Sequence, residues 1–162
     1  MLRVLCVCRG NLCRSPMAAA ALSEALAASG GVADVRSAGA AAWHVGDPAE
    51  PAAVVAAAAV GLDLTQHRVR RLGPGDFERS DLMLAADSAV LRAVRRHRPA
   101  GSTTRLARFH PSADIPDPYY GCPNEFAAAM ALIVEGARWQ ATRLAVQGLD
   151  GPCLPWPEEA HG

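Results

Sequence analysis

The start of the chain constrains its fold most. An apolar run, Leu2-Arg3-Val4-Leu5-Cys6-Val7, leads into Cys8-Arg9-Gly10-Asn11-Leu12-Cys13-Arg14-Ser15-Pro16, and an alanine-rich stretch from Met17 to Ala28 leads out. The first run reads as a buried strand and the last as a helix. A thiol therefore ends a strand, a short glycine-containing loop follows, and an arginine stands beside a helix start. In an alternating α/β chain this puts the loop at the C-terminal edge of a parallel sheet, where ligands bind.

The spacing carries chemistry. Five residues between Cys8 and Arg14 let the backbone curl so that its N–H groups point inward as an anion nest. Gly10 is expected to supply a positive φ, and Asn11 tolerates one better than most residues. Pro16 suits a first helical turn, where its missing N–H costs nothing, and Ser15 before it suits an N-cap. The helix start adds positive potential, and Arg14 adds a planar fork that grips two phosphate oxygens. Both favour negative charge on Cys8, and the thiolate is the nucleophile. The Ser15 hydroxyl is also suited to hydrogen-bond the sulfur. Cys-x5-Arg alone is a weak signal in a chain with 5 cysteines and 16 basic residues, all arginine. Only Cys8 satisfies it, and the strand–loop–helix setting gives it specificity.

A nucleophile needs a proton donor for its leaving group. The late segment Asp114-Ile115-Pro116-Asp117-Pro118-Tyr119-Tyr120-Gly121 offers one. Prolines on both sides hold Asp117 in stiff, non-helical backbone, and the two tyrosines suit the wall of an aromatic-binding cleft.

Taken together, these segments resemble the low-molecular-weight protein tyrosine phosphatases. The likeness rests on Val7-Cys8-x-Gly10-Asn11-Leu12-Cys13-Arg14-Ser15-Pro16-Met17-Ala18, Ser37-Ala38-Gly39, Trp43-His44-Val45-Gly46, His67-x-x-Arg70, Asp87 after an apolar strand, and Asp117-Pro118-Tyr119-Tyr120-Gly121. It implies that Cys8 attacks phosphorus and that Arg14 and the loop Arg9, Gly10, Asn11, Leu12, Cys13 bind the phosphoryl oxygens. Asp117 would protonate the leaving oxygen and then activate water. Ser15 would assist the thiolate, Asn11 would hold the loop with His67 as a buttress, and Trp43, Tyr119 and Tyr120 would line the cleft mouth. Cys13 matches the vicinal cysteine that forms a reversible disulfide with the nucleophile; a reactive exposed thiol gains from a nearby resolving partner. Two positions depart from the family's pattern. Ala19 stands where glutamate is usual. Arg9 follows the nucleophile where a small or apolar residue is common. A second cation at the mouth would favour acidic groups flanking a substrate's phosphate; the alternative is a solvated arginine.

Composition bounds the rest. One domain fits 162 residues, and 51% hydrophobic content supports a packed core. A net formal charge of zero predicts no general attraction to nucleic acid or membrane. The apolar start is too short for a signal peptide, and Ala52 to Val60 is too short for a membrane span. The expected location is the cytoplasm, with leaderless export left open. An odd cysteine count without a leader argues against a disulfide scaffold. Cys6, Cys8 and Cys13 lack the second half of a zinc site, so neither metal nor cofactor is expected.

The predicted architecture is a single α/β domain over residues 1–147. A four-stranded parallel sheet carries helices on both faces, with the phosphate-binding loop after strand 1. The predicted strands are Leu2–Val7, Asp34–Ser37, Asp81–Ala86 and Thr103–Ala107. The predicted helices are Ser15–Ser29, Glu50–Val60, Ser88–Arg98 and Asn124–Val146, with a helical turn near Phe77–Arg79. Phe126, Met130, Ile133, Ala137 and Leu144 form the core face of the last helix. Arg92 to Arg98 reads as an exposed helix end, and His97, His110 and His161 read as surface residues. Residues 148–162 read as a Pro/Gly-rich tail that Trp156 could anchor.

The leading expectation is hydrolysis of phosphotyrosine in a protein substrate through a phosphocysteine. Phosphoarginine is a related substrate on this fold; members with that preference carry Thr where Leu12 stands. A small-molecule phosphate ester is a further alternative. Thiol-dependent arsenate reduction needs relay cysteines that the middle region Asp63 to Arg98 lacks. A non-catalytic phosphotyrosine-binding module would be expected to lack the nucleophile or the acid. Oligomeric state is not fixed by the sequence.

Overall fold

The computed structural model describes residues 1–149. In chain order the elements are β1 (Leu2–Cys8), α1 (Arg14–Ala28), β2 (Ala33–Gly39), α2 (Pro51–Ala58), α3 (Pro74–Glu78), β3 (Leu82–Ala85), α4 (Ser88–His97), β4 (Arg105–Arg108) and α5 (Pro123–Gln147). The strands form one sheet in the order β2-β1-β3-β4, and every pairing is parallel. The predicted four-stranded parallel sheet with helices on both faces and the predicted helical turn, which is α3, are both present. Cys153, Trp156 and His161, and the tail beyond Leu149, lie outside the described residues.

The period-two alternation of β1 and β3 divides the core. Val4 and Cys6, with Leu82 and Leu84, face a layer built by Met17 and Leu22 of α1, Ala53 and Ala57 of α2, and Phe126, Met130 and Ile133 of α5. Leu5 and Val7, with Met83 and Ala85, face Phe77 of α3 and Val90 and Val94 of α4. Both central strands are thus covered on both faces, which explains the apolar runs Val4–Cys8 and Leu82–Ala85. The core face predicted for α5 is buried along its length. Arg92, Arg95, Arg96 and Arg98 are exposed, as the cluster suggested.

His110 corrects the sequence reading. It is 2% exposed rather than a surface residue. Its Nδ1 accepts from the backbone N–H groups of Ser112 and Ala113, at 3.2 and 3.1 Å, and so shapes the start of the loop that carries Asp117. That loop is pinned back to the sheet by the Ile115 N–H, which donates to the Ala86 carbonyl at 2.9 Å.

The C-terminal end of β2 presses against the loop after β1. The N–H groups of Ala40 and Ala41 donate to the carbonyls of Cys8 and Arg9, both at 2.9 Å. A Cβ on Gly39 would come within 2.9 Å of the Gly10 carbonyl carbon and 3.0 Å of the Arg9 oxygen. These are backbone atoms with nowhere to retreat, so only glycine fits. Gly39→Ala should therefore displace the Cys8 loop. It should cost about 1–3 kcal/mol in a denaturant melt and lower kcat/KM on an aryl phosphate; unchanged values of both would remove the steric constraint.

Candidate active site

Cys8 ends β1 at the floor of a cavity of about 510 Å³, whose walls include Arg9, Leu12, Arg14, Trp43, Asp117 and Tyr119. The cavity gathers residues from three connections: the β1–α1 loop, the β2–α2 loop and the β4–α5 loop. Gly10, Cys13, His44 and Tyr120 complete its lining. The sequence-predicted site residues are therefore brought together, except that Asn11, Ser15 and His67 stand behind the loop as its support.

Two donors converge on the Cys8 sulfur. The Asn11 N–H points at Sγ from 3.2 Å, and the Ser15 hydroxyl lies 3.0 Å away. The Ser15 oxygen accepts from Asn11 Nδ2 at 2.8 Å, which leaves its own proton free for the sulfur. This corrects the reading of Ser15 as an N-cap. Helix α1 begins at Arg14 with Cys13 as its N-cap residue, so Ser15 and Pro16 both sit inside the first turn. The hydroxyl serves the thiol instead of a backbone N–H.

The left-handed residue of the loop is Asn11, with φ of 60°; Gly10 is not in that region. Asn11 is fully buried and every polar group on its side chain is used. Besides Ser15, Nδ2 donates to Ser37 Oγ at 3.0 Å, and Oδ1 accepts from the Arg70 N–H at 2.9 Å. Its carbonyl oxygen meets His67 Nε2 at 2.8 Å. A carbonyl only accepts, so His67 carries its proton on Nε2. Burial holds the His67 imidazole below its ordinary value and keeps the ring neutral, against the opposing pull of the Asn11 carbonyl.

Arg14 is 3% exposed, and its guanidinium is fixed at one end. Nη1 donates to Asp87 Oδ2 at 2.6 Å and to the Ile115 carbonyl at 2.9 Å. Nη2 lies 3.5 Å from Asp117 Oδ2. Among the described residues Nε donates to nothing, so the Nε–Nη2 edge keeps two parallel donors for an oxyanion. Asp87 also caps α4, its Oδ1 accepting from the Val90 N–H at 2.7 Å. The sequence had offered Asp87 and Ser37 only as matched positions; an aspartate between an apolar strand and a helix is a capping signal, but the tie to Arg14 is not visible in sequence.

Asp117 stands at the mouth with its side chain 45% exposed. Its Oδ1 accepts from the Tyr119 N–H at 3.1 Å, a local turn that fixes the carboxylate's direction. The Tyr119 and Tyr120 rings meet edge to face, with centroids 4.3 Å apart. Burial and then the neighbouring Cys8 push the Cys6 and Cys13 thiols well up, so both remain protonated at neutral pH. Neither competes as a nucleophile.

Known proteins resemble this chain in sequence and fold. The family model for low molecular weight phosphotyrosine protein phosphatases matches residues 3–148. A low molecular weight protein-tyrosine-phosphatase of Streptomyces coelicolor is 38% identical over 144 residues, covering 81% of this chain and 86% of that protein. The solved structure of Vibrio vulnificus Wzb in complex with benzylphosphonate superposes with a TM-score of 0.81 at 30% identity, covering 88% of this chain and 99% of that one. A YwlE mutant structure from Bacillus subtilis superposes with a TM-score of 0.82 at 26% identity, covering 90% and 99%. With the match running through every segment that builds the cavity, the chain belongs to the low molecular weight phosphotyrosine protein phosphatase family.

Proposed function

We propose that the protein hydrolyses phosphotyrosine in protein substrates by way of a phosphocysteine. The carrying observation is a single cavity that joins a thiol under two hydrogen-bond donors, an arginine with one free edge, and a carboxylate 3.5 Å from that arginine. Cys8 Sγ attacks phosphorus as the ester P–O bond breaks, and the Asp117 carboxyl gives its proton to the leaving oxygen. The Asp117 carboxylate then takes a proton from water, which attacks the phosphocysteine. Inorganic phosphate leaves and the thiolate returns, with the Ser15 hydroxyl easing its departure. Arg14 and the amides of Gly10 to Arg14 hold the three equatorial oxygens while their charge is redistributed.

The aromatic walls support a tyrosyl rather than a small ester. Trp43, Tyr119 and the apolar side of Leu12 flank the cavity, and the Vibrio vulnificus relative holds an aromatic phosphonate. Cys13 is the candidate resolving thiol for an oxidised Cys8; its burial and raised thiol value would make that disulfide form slowly at neutral pH. Residues 1–147 make up the phosphatase domain in this reading, with 148–162 appended to it, and the location is the cytoplasm. No helix among the described residues is long and apolar enough to cross a membrane.

A substrate panel tests the assignment. Cys8→Ser should abolish turnover of every phosphate ester, and activity at the wild-type level would refute the mechanism. Asp117→Asn should lower kcat on the order of 100-fold on phosphotyrosine, and much less on p-nitrophenyl phosphate, whose leaving group needs little protonation. Equal losses on both would remove Asp117 as the acid. Faster wild-type turnover of phosphoarginine than of phosphotyrosine peptides would displace the substrate assignment.

The support of the loop is testable through pH. A neutral, half-buried His67 has a folded-state value below the ordinary ~6.5 of the unfolded chain. Between those two values the unfolded chain binds more protons, so His67's contribution is complete above the ordinary value and falls as pH drops through it. Tm of the wild type should therefore decline from pH 7 to pH 5. His67→Ala should cost about 1 kcal/mol at pH 7 by stripping the Asn11 carbonyl of its donor, and its Tm should change less over the same interval. Parallel curves for the two proteins would contradict a neutral buttress.

A further inference from the structure

Arg9 has no place in the chemistry just described, and its setting is specific. It is exposed at the cavity mouth, one residue beyond the nucleophile. Among the described residues its side chain makes neither an ion pair nor a hydrogen bond. Its guanidinium carbon instead lies 5.0 Å from the centre of the Trp43 ring. Trp43 is 63% exposed, an unusual state for the largest apolar side chain, and Gly10 stands beneath the same ring. The backbone under Arg9 is equally fixed, since its carbonyl accepts from Ala41 and abuts Gly39.

The cation–π contact rests the Arg9 guanidinium over Trp43 and spends none of its N–H groups on an acceptor among the described residues. Arg14, tied to Asp87 through Nη1, turns its remaining edge to the cavity floor. Arg9 is a second guanidinium with unspent N–H groups, and it stands at the mouth. The same lining brings Asp117 of the β4–α5 connection into the cavity with Arg9 and Trp43.

We infer that Arg9, held on Trp43, is a specificity-determining residue that selects phosphotyrosine flanked by acidic residues, its guanidinium edge receiving a substrate carboxylate. The inference rests on the phosphotyrosine reading above and adds to it a substrate class. The planar edge matches a carboxylate in a two-point pair. The same charge raises the encounter rate with acidic segments and disfavours basic ones. Arg9 acts on the flanking residue rather than on the phosphoryl group, whose oxygens lie at the floor with Arg14 and the loop amides.

Three phosphotyrosine peptides, flanked by Glu, by Ala or by Lys, test this with the wild type, Arg9→Gln, Arg9→Lys and Trp43→Leu. In the wild type kcat/KM should follow Glu, Ala, Lys in descending order. Glu should exceed Lys by about fivefold, the scale of one exposed charge pair, and added salt should shrink the ratio. Arg9→Gln should bring the ratio close to one, mainly through KM. Arg9→Lys should keep part of it, and Trp43→Leu should reduce it by releasing the guanidinium. An undiminished ratio in Arg9→Gln overturns the inference, and so does an equal loss on all three peptides, which would mean that Arg9 serves the phosphoryl group. If the wild type hydrolyses none of the peptides while hydrolysing another phosphate ester, the phosphotyrosine reading falls and takes this inference with it.

Discussion

The site depends on one buried amide. Asn11 adopts a left-handed backbone and ties the Cys8 loop to α1 through Ser15, to β2 through Ser37, and to the segment 67–70 through its Oδ1 and carbonyl oxygens. No other side chain meets these demands together. Glycine would take the φ and lose the side-chain bonds; aspartate would keep an acceptor and lose both donors. The positive φ is a local cost repaid by a fully satisfied buried network.

Arg14 shows a related economy. A guanidinium free to rotate would pay side-chain entropy each time it met an oxyanion. Here Nη1 is occupied by Asp87 and the Ile115 carbonyl, so the remaining edge is already aimed. Asp87 divides its two oxygens between that arginine and the first turn of α4, which fastens Arg14 to a helix on the opposite face of the sheet from α1. The carboxylate is thus both a helix cap and a rail for the arginine.

How much of this was legible follows from the range of each interaction. Local signals worked: the apolar runs gave β1 and β3, the Pro-rich late loop gave Asp117, and the helical spacing of Phe126, Met130 and Ile133 gave the buried face of α5. The family motifs supplied the candidate residues. Where the reading erred, a tertiary partner overrode a local preference. Ser15 has the chemistry of an N-cap, but the curl of the loop brings Cys8 Sγ within its reach. Gly10 has the freer backbone, yet Asn11 takes the left-handed position because its side chain has partners there. His110 carries a polar ring, but two backbone N–H groups satisfy one of its nitrogens inside the fold. The need for glycine at position 39 arises from another strand's loop and leaves no local trace.

The loop network also bears on when the surroundings of the thiol are assembled during folding. The two donors on Cys8 come from 3 and 7 residues away, so they could meet the sulfur early. What holds them there is remote: Ser37 lies 26 residues from Asn11, His67 lies 56 away, and Ile115 lies 101 residues from Arg14. Loops of that length close late, after the sheet has paired. In a nascent or partly unfolded chain the Cys8 thiol therefore lacks the ordered donors that surround it, and its full hydrogen-bonded setting exists only in the completed domain.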